Sequence, residues 1–149
     1  MPSRPLKTSF IWLAVFAFLG FADATYLTAE HYLKLPLPCS ITQGCGTVLT
    51  SKYAAVFGIP IAIFGALYYL TVLLLAVYLY TSKDIKSGLV RLIFVLTGIS
   101  VLASISLLYL QFFVIKAVCL YCLGSAAFSF ALFFTSTRII KLTKTAQIY

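Results

Sequence analysis

Four long apolar runs, separated by polar links, organise the chain: Ser9–Thr28, Phe57–Tyr80, Leu89–Ile115 and Ala117–Ser136. Each reaches the roughly 20 residues that an α-helix needs to cross the hydrocarbon core of a bilayer. Two links are short, Thr81–Gly88 and a tight turn around Lys116. The third, Ala29–Val56, is long and broken by Pro36, Pro38, Gly44 and Gly46 with polar residues between them, so it is not a span. The pattern predicts an all-α membrane protein, a bundle of four transmembrane helices. Residues 1–149 form one integral membrane domain, with helices at about 9–28, 57–80, 89–115 and 117–136 and an extracytoplasmic loop at 29–56.

Composition sharpens this picture. Of 149 residues 62% are apolar and 9% charged, and the mean hydropathy is +1.07. Soluble domains are about half apolar and a quarter charged, so little is left for a separate soluble domain. The net charge of +8 comes from cations that flank the apolar runs, which speaks for membrane topology rather than nucleic-acid binding. With the N-terminus inside, Arg4, Lys7, Lys83, Lys86, Arg91, Arg138, Lys141 and Lys144 are cytoplasmic, and Lys34, Lys52 and Lys116 external. The positive-inside rule therefore places both termini in the cytoplasm and the long loop outside. The basic N-terminus followed by an apolar run resembles a signal peptide, but it has no clear cleavage site and reads as the first span.

On that topology all four cysteines fall on one, oxidising side. Cys39 and Cys45 lie in the long loop, Cys119 and Cys122 at the external end of the fourth helix. Cysteine in such a compartment tends to form disulfides. Cys119 and Cys122 are three apart and share a helix face, so their thiols can touch, bridge, or address one ligand. A first helical turn also offers unpaired N–H groups and a positive dipole end, which favour the reactive thiolate. One pair in a loop and one in a helix is the layout of a relay: the loop carries a disulfide, and the helix pair meets something dissolved in lipid. The competing readings are a non-catalytic scaffold with structural disulfides, two small apolar residues in a helix, and a four-cysteine zinc site. For zinc the spacing is loose and no histidine is adjacent.

The run from Cys39 through Cys45 to Ser51 and Tyr53, then Phe57-Gly58-Ile59-Pro60, resembles the vitamin K epoxide reductase family. Asp23-Ala24-Thr25-Tyr26-Leu27 and the terminal Cys119-Leu120-Tyr121-Cys122 extend the likeness over nearly the whole chain. It is closest in kind to prokaryotic members that oxidise thiols, in the cytoplasmic membrane. The resemblance implies a four-helix bundle around a quinone (ubiquinone, menaquinone or vitamin K) as electron acceptor. It also implies a thioredoxin-like, DsbA-like partner on the external side, expected here as a separate protein because the sequence given ends at Tyr149. In that scheme Cys39 takes electrons from the partner, Cys45 exchanges with Cys119, Cys122 faces the quinone, and Ser51 matches a family serine near both pairs. Vertebrate members contact the ring through an Asn and a Tyr, whose positions here are Ile61 and Ala126. That argues against the alternative of a vertebrate-type vitamin K epoxide or quinone reductase.

A quinone slot should be flat and apolar with one or two hydrogen-bond donors. The sequence offers Ser51, Tyr109, Phe113 and Tyr121, with Gln111 and Phe112 beside them. Asp23 stands near the external end of the first helix, where an acid relays protons, caps the loop or simply reaches water. Glu30 and His31 are expected past that helix, with His31 solvated. Ser100, Ala103 and Ser104 form a small-residue face read as a helix-packing surface.

Overall fold

The computed structural model describes residues 3–33 and 44–148. Among them, four helical segments are long and apolar enough to cross a membrane. They are α1 (Arg4–Leu33), α3 (Ile61–Thr81), α4 (Ser87–Tyr109) with a π-helical turn (Leu110–Ile115) continuing it, and α5 (Leu120–Ile148). Between α1 and α3 lie a short helix α2 (Gly44–Thr50) and a two-stranded hairpin, β1 (Ala55–Val56) and β2 (Ile59–Pro60).

Burial along α1 follows a seam: Leu6, Phe10, Leu13, Ala17, Gly20, Ala24 and Leu27, in alternating steps of four and three. That is the spacing of a helix packed lengthwise against neighbours. The opposite faces keep Trp12, Phe18, Leu67, Leu74, Leu102 and Phe134 exposed. Apolar side chains on every face are what a lipid solvent permits. Helix α1 is central, packing on α3 and α5; α4 packs on α5, while α3 and α4 touch only sparingly.

Among the described residues, polar contacts tie α5 to both α3 and α4. The phenol of Tyr69 (α3) donates to the Ser125 carbonyl at 2.7 Å and lies 3.0 Å from the hydroxyls of Ser125 and Ser129 (α5). The hydroxyls of Thr97 (α4) and Ser136 (α5) meet at 2.9 Å. A Cβ on Gly20 would run into the Tyr69 ring, so the glycine is what lets α1 and α3 close around that side chain.

Several boundaries differ from those the apolar runs imply. Helix α3 begins at Ile61 rather than Phe57, because Phe57 and Gly58 have φ of 52° and 81°. Positive φ at both central residues is the requirement of a tight hairpin turn, and it pairs Ala55 with Pro60 and Val56 with Ile59. Pro60, extended at φ −58° and ψ 133°, then leads into the helix. The segment 29–56, expected as loop, contains the last turn of α1 and all of α2. Helix α5 starts at Leu120, not Ala117, and runs twelve residues past Ser136, to Ile148.

Candidate functional site

The reversal between the π-helical turn and α5 is built on Gln111. Lys116 adopts the left-handed conformation (φ 53°, ψ 32°), and the N–H groups of Lys116 and Ala117 both donate to the Gln111 carbonyl. The side-chain Oε1 of Gln111, itself buried, accepts the Cys119 N–H at 3.0 Å. One residue thus satisfies three amide donors and fixes where the chain re-enters the membrane. π-helical turns recur at functional sites, and this one delivers Cys119 to the start of α5.

Cys119 is the N-cap of α5, its carbonyl accepting the first intrahelical bond from Leu123 N–H at 3.1 Å. Its sulfur takes the place of a capping oxygen. The Cys122 thiol donates to it, and so do the backbone N–H groups of Cys122 and Tyr121. The Cys122 thiol contact is the largest influence; together these lower the Cys119 pKa from 9.0 to about 7, against the opposing pull of burial and of the Asp23 charge. A thiol held this way is a thiolate for much of the time at neutral pH, and the thiolate is the nucleophile.

Helix α2 brings the loop cysteine to this point. Cys45, Val48 and Cys119 are buried in one cluster, with Ile115, Ala117, Tyr121 and Cys122 packed on it. Gly44 allows the approach, since its Cα lies against the backbone of Val118 with no room for a side chain. Cys45 is disulfide-bonded, while Cys119 and Cys122 are free thiols. Cys39 lies outside the described residues.

On the other side of Cys122 is a cavity of about 440 Å³ lined by α1, α3, α4 and α5, with Val48 and Leu49 of α2 and Pro60 of the hairpin also at its wall. Its wall is largely apolar and includes Cys122, Ile61, Ala126, Leu96, Ile99 and Leu107. Polar atoms reach it from Tyr68, Ser100, Gln111, Ser125 and Ser129. This volume and this sparse polarity suit a small, flat, lipid-soluble ligand. No cluster of His, Cys, Asp and Glu among the described residues could hold a metal ion.

The side chains expected at a quinone are distributed unevenly. Ser51 lines the cavity, and its hydroxyl donates to the Val48 carbonyl at 2.7 Å. Tyr121 packs on the cysteine cluster with its ring 5.3 Å from that of Tyr26. Tyr109 and Phe113 stack on each other, rings 4.9 Å apart, exposed on the outside of the bundle. The face of Ser100, Ala103 and Ser104, read as a packing surface, lines the cavity instead. His31, expected in solvent, is half-buried and contributes to the wall. Asp23 and Glu30 each bury one carboxylate oxygen without a hydrogen-bond partner among the described residues. Tyr68 and Tyr69 had no sequence signal that set them apart from the aromatic residues around them.

A bundle of apolar helices that packs a loop cysteine against a helical cysteine pair, with one member of that pair at a cavity wall, defines a class of membrane redox proteins. Residues 11–137 match the profile of the vitamin K epoxide reductase family, and the chain belongs to that family. It is 37% identical over 133 residues to the thiol-disulfide oxidoreductase LTO1 of Arabidopsis thaliana. That match covers 85% of this chain and 35% of the plant protein, so the chain spans about a third of the relative's length.

Proposed function

We propose that the protein is a membrane thiol oxidoreductase that passes electrons from substrate thiols to a membrane quinone. The observation that carries this reading is the placement of Cys119 between two neighbours, Cys45 in the same buried cluster and Cys122 facing the cavity. A disulfide can exchange only with a thiolate that reaches its sulfur, and this arrangement supplies one exchange partner on each side.

Electrons enter when an external thioredoxin-like dithiol reduces the bond between Cys39 and Cys45, leaving as a disulfide itself. The Cys45 thiolate attacks Cys119 of an oxidised Cys119–Cys122 pair. This forms a Cys45–Cys119 bond and releases the Cys122 thiolate. Attack by Cys39 on Cys45 then frees Cys119, so that two electrons now reside on the helix pair. A quinone bound in the cavity would accept two electrons and two protons as the Cys119–Cys122 bond re-forms. The residues that would hold it are the apolar walls of α3 and α4, with Cys122 at one edge. The cysteines belong on the external face of the cytoplasmic membrane, opposite the cation-rich end, and the net result is disulfide formation in exported proteins.

The test is dithiol oxidation by the full chain in proteoliposomes containing ubiquinone. Wild type should turn over, and Cys119→Ala should be inactive while remaining inserted and folded. Undiminished turnover by Cys119→Ala would remove the helix pair from the path and overturn the reading.

A further inference from the structure

The cavity has few polar atoms, and several are committed to protein groups, while the Ser104 hydroxyl and the Gln111 amide N–H groups, like Tyr68, have no acceptor among the described residues. Ser51 donates to Val48, Tyr69 donates to the Ser125 carbonyl, and the Gln111 side-chain oxygen holds the Cys119 amide. Tyr68 is set apart by how it is held. Its phenol oxygen accepts from the Ser100 hydroxyl at 2.9 Å, the single Ser100 hydrogen being shared with the Thr97 carbonyl at 3.0 Å, and the phenol's own hydrogen has no acceptor among the described residues. The ring is anchored on both sides, with Tyr69 4.9 Å away on its own helix and Ser100 on α4. Tyr68 and Ser100 both line the cavity, about two turns along α3 from its start at Ile61.

We infer that Tyr68 is the hydrogen-bond donor that anchors a carbonyl oxygen of the electron acceptor, with Ser100 as the residue that positions it. This rests on the quinone-linked reading above and names the residues that recognise the ring. The bond from Ser100 polarises the phenol, so a second bond donated by Tyr68 into the cavity is strengthened by the first. A donor with an unused hydrogen in an apolar wall is stabilised most by a ligand that brings an acceptor and nothing that needs further solvation. A quinone carbonyl is such an acceptor. The same bond spans the seam where α3 and α4 scarcely touch, so the ligand is gripped between two helices that otherwise make little contact.

The experiment measures ubiquinone-1 binding to the full chain carrying Cys119→Ser and Cys122→Ser, so that no turnover occurs. Adding Tyr68→Phe, which keeps the ring and removes the donor, should weaken binding by about three- to tenfold, the worth of one neutral hydrogen bond. Ser100→Ala should weaken it by about twofold in the Tyr68 protein and have no effect in the Tyr68→Phe protein. An unchanged Kd in Tyr68→Phe overturns the assignment. So does a Ser100→Ala effect that persists without the phenol, because that marks a packing role. Failure of the parent to bind ubiquinone-1 overturns both this inference and the quinone link. Tyr68-dependent binding together with an inactive wild type overturns the proposed function alone.

Discussion

A Cβ on Gly44 would stand 2.5 Å from the carbonyl oxygen and 2.8 Å from the amide nitrogen of Val118. The neighbour is backbone, held by the Gln111 hydrogen bonds on one side and the start of α5 on the other, so it cannot yield as a flexible side chain would. The glycine therefore sets the distance between Cys45, the next residue, and Cys119, the residue after Val118.

Gly44→Ala should accordingly separate the two cysteines. Forcing extra atoms into a packed site costs about 1–3 kcal/mol, and here α2, a seven-residue helix, is the part able to move. The expected outcome is a protein destabilised by no more than that amount whose loop-to-helix exchange is slowed by about 100-fold, since misplacing reacting groups by about 1 Å has that effect. Stopped-flow thiol trapping after a pulse of reductant checks it. An unaltered exchange rate would mean that α2 is not positioned by this contact.

Gln111 makes a different kind of prediction. Gln111→Leu leaves the buried Cys119 N–H without its acceptor, which costs about 1–3 kcal/mol. It should lower the unfolding midpoint in detergent. Gln111→Glu keeps an oxygen in place but adds a negative charge beside Cys119. The fold should survive, the Cys119 thiolate should be disfavoured, and its reaction with a small methanethiosulfonate should slow at neutral pH. Equal thiol reactivity in Gln111→Glu and wild type would contradict the electrostatic part of this account.

The spans were legible in the sequence because hydropathy reports the solvent of a segment, and lipid leaves a strong mark. The buried faces were not. With Phe18 outside and Phe10 inside the same helix, apolar character cannot say which side meets protein. Helix ends were also hidden, since α1 and α5 continue past their apolar runs into polar residues that are still good helix formers. Helix α2 is too short to show a period, and a left-handed Phe57 gives no warning before its turn. The three-residue spacing of Cys119 and Cys122 was visible in the sequence, whereas the packing of Cys45 beside Cys119 depends on α2 and on the turn at Gln111. Tyr68 and Ser100 gave no such signal, because what distinguishes them is a hydrogen bond between two helices at a cavity wall, a property of three-dimensional placement.

Gly20 and Tyr69 can be tested as a pair. Gly20→Ala should destabilise by about 1–3 kcal/mol through collision with the ring. Tyr69→Phe, which loses only the bonds to Ser125 and Ser129, should cost about 1 kcal/mol. In a Tyr69→Leu background, which leaves room beside α1, Gly20→Ala should become nearly neutral. A strictly additive double mutant, measured by thermal unfolding, would show that the two residues are not in contact.

The capping arrangement at Cys119 fixes a pH profile. Held below its ordinary 9.0 by these donors, the Cys119 thiol is more ionised at neutral pH than an unshifted one, by about tenfold for each pKa unit. Ionisation falls as pH drops through the lowered pKa, so the rate of Cys119 modification should decline about tenfold per pH unit on the acid side and level off on the alkaline side, with its inflection below 9.0. The leading cause of the shift is the Cys122 thiol. Cys122→Ala should therefore move the inflection back upward, leaving the two backbone N–H donors to hold part of the effect. The measurement is the second-order rate of methanethiosulfonate labelling from pH 5 to 9 in both proteins. A wild-type inflection near 9, or one that Cys122→Ala does not move, would mean that the helix pair is not activated in the way its geometry indicates.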